Sequence, residues 1–234
     1  MKKSPLVLIV SLLFACNNGP AKEEQKADTT AAVAPAPAEV KPAFVPFKVV
    51  IVQHKVKNFA NAEAMYFNRD SLRNAYGITH YVVARDAKDS NTVFVIDKIE
   101  DVEKAKAFYT LPGTKDVMKK AGVMSPPGFT FAEFVTGTDN PVQFLDGLAT
   151  SHHVKDFDVW KKFFDAGDSV RRANGLITRN IARNLQDSNS ISIIFEVSDL
   201  AKAKARTESP ELKKKLADAG VDSPPTNRWF KLIK

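Results

Sequence analysis

Cysteine is almost missing from this sequence, since the 234 residues contain only one, Cys16. A single cysteine excludes a disulfide within the chain and any metal site built from a cysteine cluster. The spacings typical of histidine–carboxylate metal sites, glycine-rich phosphate loops and serine nucleophile elbows are missing as well. The sequence therefore predicts no metal site and no cofactor, and it carries no motif that identifies a reaction.

A strong excess of one charge is also missing. The net charge is +7, and it falls to +5 when Lys2 and Lys3 are removed with residues 1–15. The basic residues are spread along the chain, without a dense basic block interleaved with aromatics, so no nucleic-acid partner is predicted. Beyond the N-terminal region, no run of about 20 apolar residues occurs that could span a bilayer.

The N-terminus differs from the rest of the chain. Two lysines precede an apolar run at residues 5–14, which is too short to span a membrane and is typical of a signal-peptide core. The run ends in Leu13-Phe14-Ala15-Cys16, which resembles the lipobox of bacterial lipoproteins. The resemblance implies cleavage after a signal peptide at residues 1–15 and lipid on Cys16, so the membrane is an expected partner. The alternative is an ordinary signal peptide with a chance cysteine.

Residues 16–47 are rich in Ala, Pro, Lys and Glu, a composition that predicts an extended, lipid-anchored tether. Asn17 follows the cysteine where lipoproteins retained at the inner membrane of enteric bacteria carry Asp. That resemblance favours the outer membrane of a bacterial cell envelope. Lys22-Glu23-Glu24 loosely resembles an export signal of surface-exposed lipoproteins, but ordinary linker charge is the favoured interpretation. Periplasmic and surface-facing positions therefore both stay open.

The body of the chain is duplicated. Shifted by 98 residues, it aligns with itself without a gap, which indicates a tandem repeat. The repeat predicts a first module at residues 48–135, a linker at 136–146 and a second module at 147–234. The matching segments include His54 with His152, Asp70-Ser71-Leu72-Arg73 with Asp168-Ser169-Val170-Arg171, and Ser125-Pro126-Pro127 with Ser223-Pro224-Pro225.

Each module has the pattern of a ferredoxin-like βαββαβ unit. β-branched runs predict strands at residues 49–55, 79–85, 92–97 and 129–135 and at the matching positions of the second module. Helical spacing predicts helices over residues 59–76 and 157–174, ended by glycine. A second helical stretch in each module is restarted at Pro112 or Pro210.

The string 54–59, the helix with Trp160 and the tail 210–225 look like small bacterial proteins of the dimeric α/β-barrel superfamily, which includes antibiotic-biosynthesis monooxygenase-like domains. The resemblance implies an α+β fold in which the two ferredoxin-like modules pack as an intramolecular dimeric α/β barrel. It says little about chemistry, because this fold hosts many activities. Haem-degrading relatives use a histidine on a helix as axial ligand. The predicted helices 59–76 and 157–174 contain none, so haem ligation is not expected.

Strand alternation predicts which side chains lie between the two sheets. A semi-polar lining suits a small-molecule pocket, and a partly solvated sheet face is an equal alternative. The predicted ligand-binding residues are His80, Phe94, Lys98, Asn180, Ser192 and Glu196.

His54 and His152 occupy equivalent positions where the first strand of each module ends. They are the candidate catalytic residues, because a histidine with a near-neutral pKa can transfer protons; a structural histidine is the favoured alternative. Two functions follow: a lipid-anchored small-molecule-binding or accessory module, or a cofactor-independent monooxygenase-like or isomerase-like enzyme acting between the sheets. A homo-oligomer is left open.

Overall fold

The computed structural model describes residues 43–138 and 140–233. The predicted signal peptide, Cys16 and most of the predicted tether lie outside the described residues. Within the described part, eight strands and eight helices follow one another as two βααββααβ units. None of these helices has the length and apolar character that crossing a bilayer requires.

The two modules have the same order of elements, as the repeat predicts. The first module contains β1 (Phe47–Lys55), α1 (Phe59–Phe67), α2 (Asp70–Ala75), β2 (Ile78–Asp86), β3 (Thr92–Ile99), α3 (Val102–Tyr109), α4 (Thr114–Lys120) and β4 (Gly128–Gly137). The second contains β5 (Asp146–His153), α5 (Phe157–Ala166), α6 (Asp168–Ala173), β6 (Leu176–Asn184), β7 (Ser190–Val197), α7 (Leu200–Glu208), α8 (Pro210–Asp218) and β8 (Thr226–Leu232).

The single helix predicted after the first strand is two helices in each module. In the first module a buried arginine holds the bend: Nη1 of Arg73 donates to the carbonyl oxygen of Tyr66 at 2.5 Å, and Nη2 donates to the Asp70 carboxylate. The second module repeats the arrangement with Arg171, which donates to the carbonyl of Phe164 and pairs with the carboxylate at the start of α6. The repeated arginine therefore ties the end of one helix to the next.

The eight strands close into a ring in the order β1-β3-β2-β8-β5-β7-β6-β4, which confirms the predicted fold class. Within a module the sheet order is 4-1-3-2, as a ferredoxin-like unit requires. The edge strands pair between modules, with Ala84 opposite Leu232 and Ala132 opposite Asn184. Closure leaves the sheet without a free edge, so the two modules share one barrel.

Strand residues alternate between two environments. One face of each sheet packs against its own helices, around Val50, Val52 and Val56 in the first module and Leu148, Val154 and Trp160 in the second. The opposite faces of both sheets meet inside the barrel. This space, enclosed by all eight strands, is called the lumen below.

A β-bulge interrupts the alternation at equivalent places in the two modules. The register of β2 shifts between His80 and Val82, and that of β6 shifts between Thr178 and Asn180. The extra residue sends two successive side chains to one side of the sheet. As a result, Tyr81 and Arg179 reach the lumen together with their neighbours.

Candidate functional site

Cavities in the described part of the chain include the lumen and a space between the sheet and the helices of each module. The lumen has a volume of about 470 Å³. The first cavity, between the helices and sheet of the first module, has about 120 Å³. The second cavity, at the corresponding place in the second module, has about 410 Å³.

Four of the predicted ligand-binding residues line the lumen: Phe94, Asn180, Ser192 and Glu196. The other two do not. Lys98 lies at the rim, where its ammonium group stands 4.3 Å from the ring centre of Phe47.

His80 was expected between the sheets and instead lies on the helix side, because it precedes the bulge in β2. Its Nδ1 is 2.9 Å from the hydroxyl oxygen of Tyr66, and its ring meets that of Phe67 edge-on. A bulge is set by pairing between strands, so alternation along one strand does not reveal it.

One end of the lumen is closed by a buried ion pair. Oε1 of Glu196 lies 3.1 Å from Nη1 of Arg179. The other carboxylate oxygen accepts from the backbone N–H groups of Gln143 and Phe144, in the segment that joins the modules. Glu196 is 3% exposed, so these protein groups rather than solvent stabilise its charge.

The opposite end of the lumen is exposed, and among the described residues that line it Arg228 is the one cation. Arg228 lines it together with Gln53, whose Oε1 accepts a hydrogen bond from the guanidinium. The guanidinium also lies over the ring of Phe94, at 4.9 Å from the ring centre. Beside it, the hydroxyls of Ser151 and Ser192 are 2.7 Å apart. This end therefore combines one positive charge with neutral hydrogen-bonding groups.

The first cavity contains a carboxylate that the sequence analysis missed. Asp97 is fully buried, and its Oδ1 accepts a hydrogen bond from the Tyr66 hydroxyl. Its Oδ2 is 3.4 Å from the hydroxyl of Tyr109, and Nδ1 of His80 is 3.8 Å from Oδ1. His54, a predicted catalytic residue, lines the same cavity. The structure thus groups Asp97, Tyr66, Tyr109 and His80, called the Asp97 cluster below.

The electrostatics of the Asp97 cluster keep its phenols protonated. Burial and the neighbouring Asp97 carboxylate raise the pKa values of Tyr66 and Tyr109 far above their usual range. Burial also lowers the pKa of His54. The two tyrosines can therefore act as hydrogen-bond donors to the carboxylate, and His54 is held in its neutral form.

One feature of the sequence indicates that Asp97 is unusual. Asp97 interrupts the apolar strand β3 on the face that packs against the helices, whereas the second module has Phe195 at the matching position. A carboxylate on a buried face needs partners in the fold. The partners lie on α1, α3 and β2, and sequence alone does not show that these meet.

The second cavity surrounds His152, the other predicted catalytic residue. His152 is 6% exposed, and neither of its ring nitrogens has a hydrogen-bond partner among the described residues. Its ring meets that of Trp160 at 5.8 Å between centres. Burial lowers the pKa of His152 to about 4, so the imidazole is neutral at pH 7. The second cavity is therefore lined by a buried, neutral imidazole whose nitrogens have no partner among the described residues.

An enzyme acting between the sheets would require His54 and His152 to face the lumen. The structure places both on the helix side of their sheets, so neither lines the lumen. Across residues 43–138 and 140–233, no group of three or more His, Asp or Glu side chains is arranged to hold a metal ion.

Comparison with known proteins shows the fold. No family model and no curated protein matches the chain. A solved structure described as an anthrone oxidase-like protein matches 80% of this chain and 92% of its own, with 11% identity and a TM-score of 0.53. A structure provisionally named as a chlorite dismutase matches 81% and 95%, with 12% identity and a TM-score of 0.51. A provisionally named monooxygenase from Lactobacillus acidophilus matches 81% and 94%, with 12% identity and a TM-score of 0.48. The chain thus has two ferredoxin-like modules arranged as in dimeric α/β-barrel structures.

Proposed function

We propose that this protein is a lipid-anchored protein of the bacterial envelope that binds a small, uncharged, largely apolar molecule in the second cavity. The observation that carries the proposal is His152, a buried neutral imidazole without a partner at either nitrogen in residues 43–138 and 140–233. An unsatisfied buried polar group costs about 1–3 kcal/mol, and a ligand that hydrogen-bonds to the imidazole recovers part of that cost.

The walls of the second cavity define the ligand further. Trp160, Phe164 and Leu176 supply apolar and aromatic surface. The arginines that line the cavity already have carboxylate partners, since Arg171 pairs with Asp168 and Arg206 with Glu211. A charged ligand would therefore compete with existing ion pairs, whereas a planar apolar molecule with one hydrogen-bonding group suits both the walls and His152.

Native mass spectrometry of the gently purified protein tests this proposal, together with NMR titration using phenol and indole as probes. We expect a bound small molecule or a saturable probe response that His152→Phe removes. His153→Phe is the matched control, because the neighbouring His153 is on the opposite side of β5 and hydrogen-bonds to Asp222. Binding that is the same in the wild type and in His152→Phe would contradict the proposal.

The envelope location is supported by the Leu13-Phe14-Ala15-Cys16 string and by the composition of residues 16–47. Metabolic labelling with palmitate, followed by membrane fractionation, tests it. We expect label in the wild type, no label after Cys16→Ser, and accumulation of the uncleaved chain when signal peptidase II is inhibited.

A second candidate function is proton-transfer catalysis in the first cavity, which the Asp97 cluster favours. The Asp97 carboxylate faces an apolar cavity while Tyr66 connects it to the half-exposed His80. Such an arrangement can move a proton between a buried base and solvent. His152 is disfavoured as a base at pH 7, because burial lowers its pKa to about 4. An enzyme of this type predicts that Asp97→Asn abolishes turnover while His152→Phe does not.

A further inference from the structure

The lumen has an unbalanced positive charge. Two arginines and one glutamate line it, and Arg179 already pairs with Glu196 at the closed end. Within the described part of the chain, no carboxylate pairs with Arg228, whose contacts are the neutral Gln53 amide and the Phe94 ring. A half-buried guanidinium with only neutral partners favours an anion, which would form charge-assisted hydrogen bonds.

The walls of the lumen next to Arg228 are apolar. Inward-facing side chains from strands of both modules supply this surface, and they include Ile51, Val82, Ile194, Phe230 and Leu232. A ligand that fills this space therefore needs a hydrocarbon body, and its free energy of binding would come mainly from apolar burial.

The two ends of the lumen differ in exposure, and this difference determines how a ligand would be oriented. Gln53, Thr130 and Thr226 are exposed at the end that holds Arg228, whereas Glu196 is buried at the other end. From Ser192 to Glu196 the wall extends over four strand residues, about 13 Å. A ligand can therefore place its charged group at the exposed end and extend a chain of medium length inward.

We propose that the lumen binds an amphipathic carboxylate, with the carboxylate at Arg228 and the hydrocarbon chain between the two sheets. The bidentate geometry of a guanidinium suits a carboxylate, and the hydroxyls of Ser151 and Ser192 lie beside it. This site is separate from the second cavity, because the barrel wall lies between them.

Dodecanoate is the probe that tests the proposal. The chain from residue 16 onward, carrying Cys16→Ser, is used, since without lipid and without the apolar run at residues 5–14 it can be kept free of detergent. Isothermal titration calorimetry should show saturable binding of dodecanoate. Dodecyltrimethylammonium, which has the same chain and the opposite charge, should bind at least tenfold more weakly.

Substitutions at the exposed end of the lumen test whether dodecanoate binds there. Arg228→Gln should weaken dodecanoate binding about tenfold, which corresponds to about 1.4 kcal/mol. Arg228→Lys, which keeps the charge but not the bidentate geometry, should have an affinity between those of Arg228→Gln and the wild type. Lys231→Gln is the matched control, because Lys231 is on the same strand, on the outer face and largely exposed. Ile194→Trp should abolish binding by filling the lumen, with circular dichroism and a thermal melt to show that the variant is folded.

Three results would overturn the proposal. The first is the lack of dodecanoate binding up to its solubility limit, and the second is equal binding of the cationic surfactant. The third is dodecanoate binding that is unchanged in Arg228→Gln, or that is lost in His152→Phe. Either outcome would place dodecanoate outside the lumen. The Arg228 variants decide the question even if Ile194→Trp does not fold.

Discussion

Removing one hydroxyl from the Asp97 cluster should measurably destabilise the barrel. Tyr66→Phe keeps the ring and its contact with Arg73 but leaves the Asp97 carboxylate without its closest donor. Hydrogen bonds to charged groups are worth about 1.5–3 kcal/mol, and the partner left behind is fully buried. We therefore expect the free energy of unfolding to fall by about 2–3 kcal/mol. In a domain of this size such a loss lowers Tm by about 4–12 °C.

Urea denaturation and differential scanning calorimetry measure this loss, and two other tyrosines provide comparisons. The Tyr109 hydroxyl is 3.4 Å from the carboxylate, so Tyr109→Phe should cost less than Tyr66→Phe. Tyr76 packs its ring against Phe108, and its hydroxyl makes no hydrogen bond with the residues that the structure describes, so Tyr76→Phe should change stability by no more than about 0.5 kcal/mol.

A double-mutant cycle isolates the contact itself. Combining Tyr66→Phe with Asp97→Asn should give a coupling energy of about 0.5–3 kcal/mol, the range found for directly contacting residues. A Tyr66→Phe variant as stable as the wild type, or a coupling energy near zero, would refute the view that this hydrogen bond compensates the buried carboxylate.

Three further predictions concern other parts of the chain. In NMR titrations His153 should have a pKa above 6.5, because it hydrogen-bonds to Asp222, and His152 should have a pKa near 4. The raised pKa means that the His153 contact stabilises the fold fully below about pH 6.5. This stabilisation is lost as the pH rises through the folded-state value, so His153→Gln should lower Tm more at pH 5.5 than at pH 8. Gly175→Ala should lower stability by about 1–3 kcal/mol in urea denaturation, because φ is +74° and a Cβ would lie 2.7 Å from a backbone oxygen. Cys16→Ser should abolish palmitate labelling and leave residues 1–15 attached, and a variant that is still labelled would contradict the lipid anchor.

Much of the fold could be predicted from the sequence, because the repeat and the hydrophobic alternation are both local signals. The 98-residue shift predicts two modules of one topology, and strand alternation correctly assigns Phe94, Ser192 and Glu196 to the lumen. The split of the first helix is less visible, because the arginine that holds the bend is one of several charged residues in a polar stretch.

The parts of the site that could not be predicted depend on contacts between distant segments. The bulge in β2 moves His80 to the helix side and brings Tyr81 into the lumen, and it arises from pairing with β3. The Asp97 cluster gathers residues from two strands and two helices. Arg228 looks like an ordinary basic residue near the C-terminus until ring closure places it opposite Gln53.

Fusing the two modules into one chain lets equivalent positions take different roles. Arg179 and Glu196 form the ion pair at the closed end, while the same two positions in the first module hold Tyr81 and Lys98 in a cation–π contact at 5.1 Å. At the exposed end Arg228 corresponds to Thr130. A barrel made from two identical chains would carry either two arginines or none at that position. One cation, facing an apolar space, is an arrangement that two identical chains cannot build, and it suits a ligand with one negative charge.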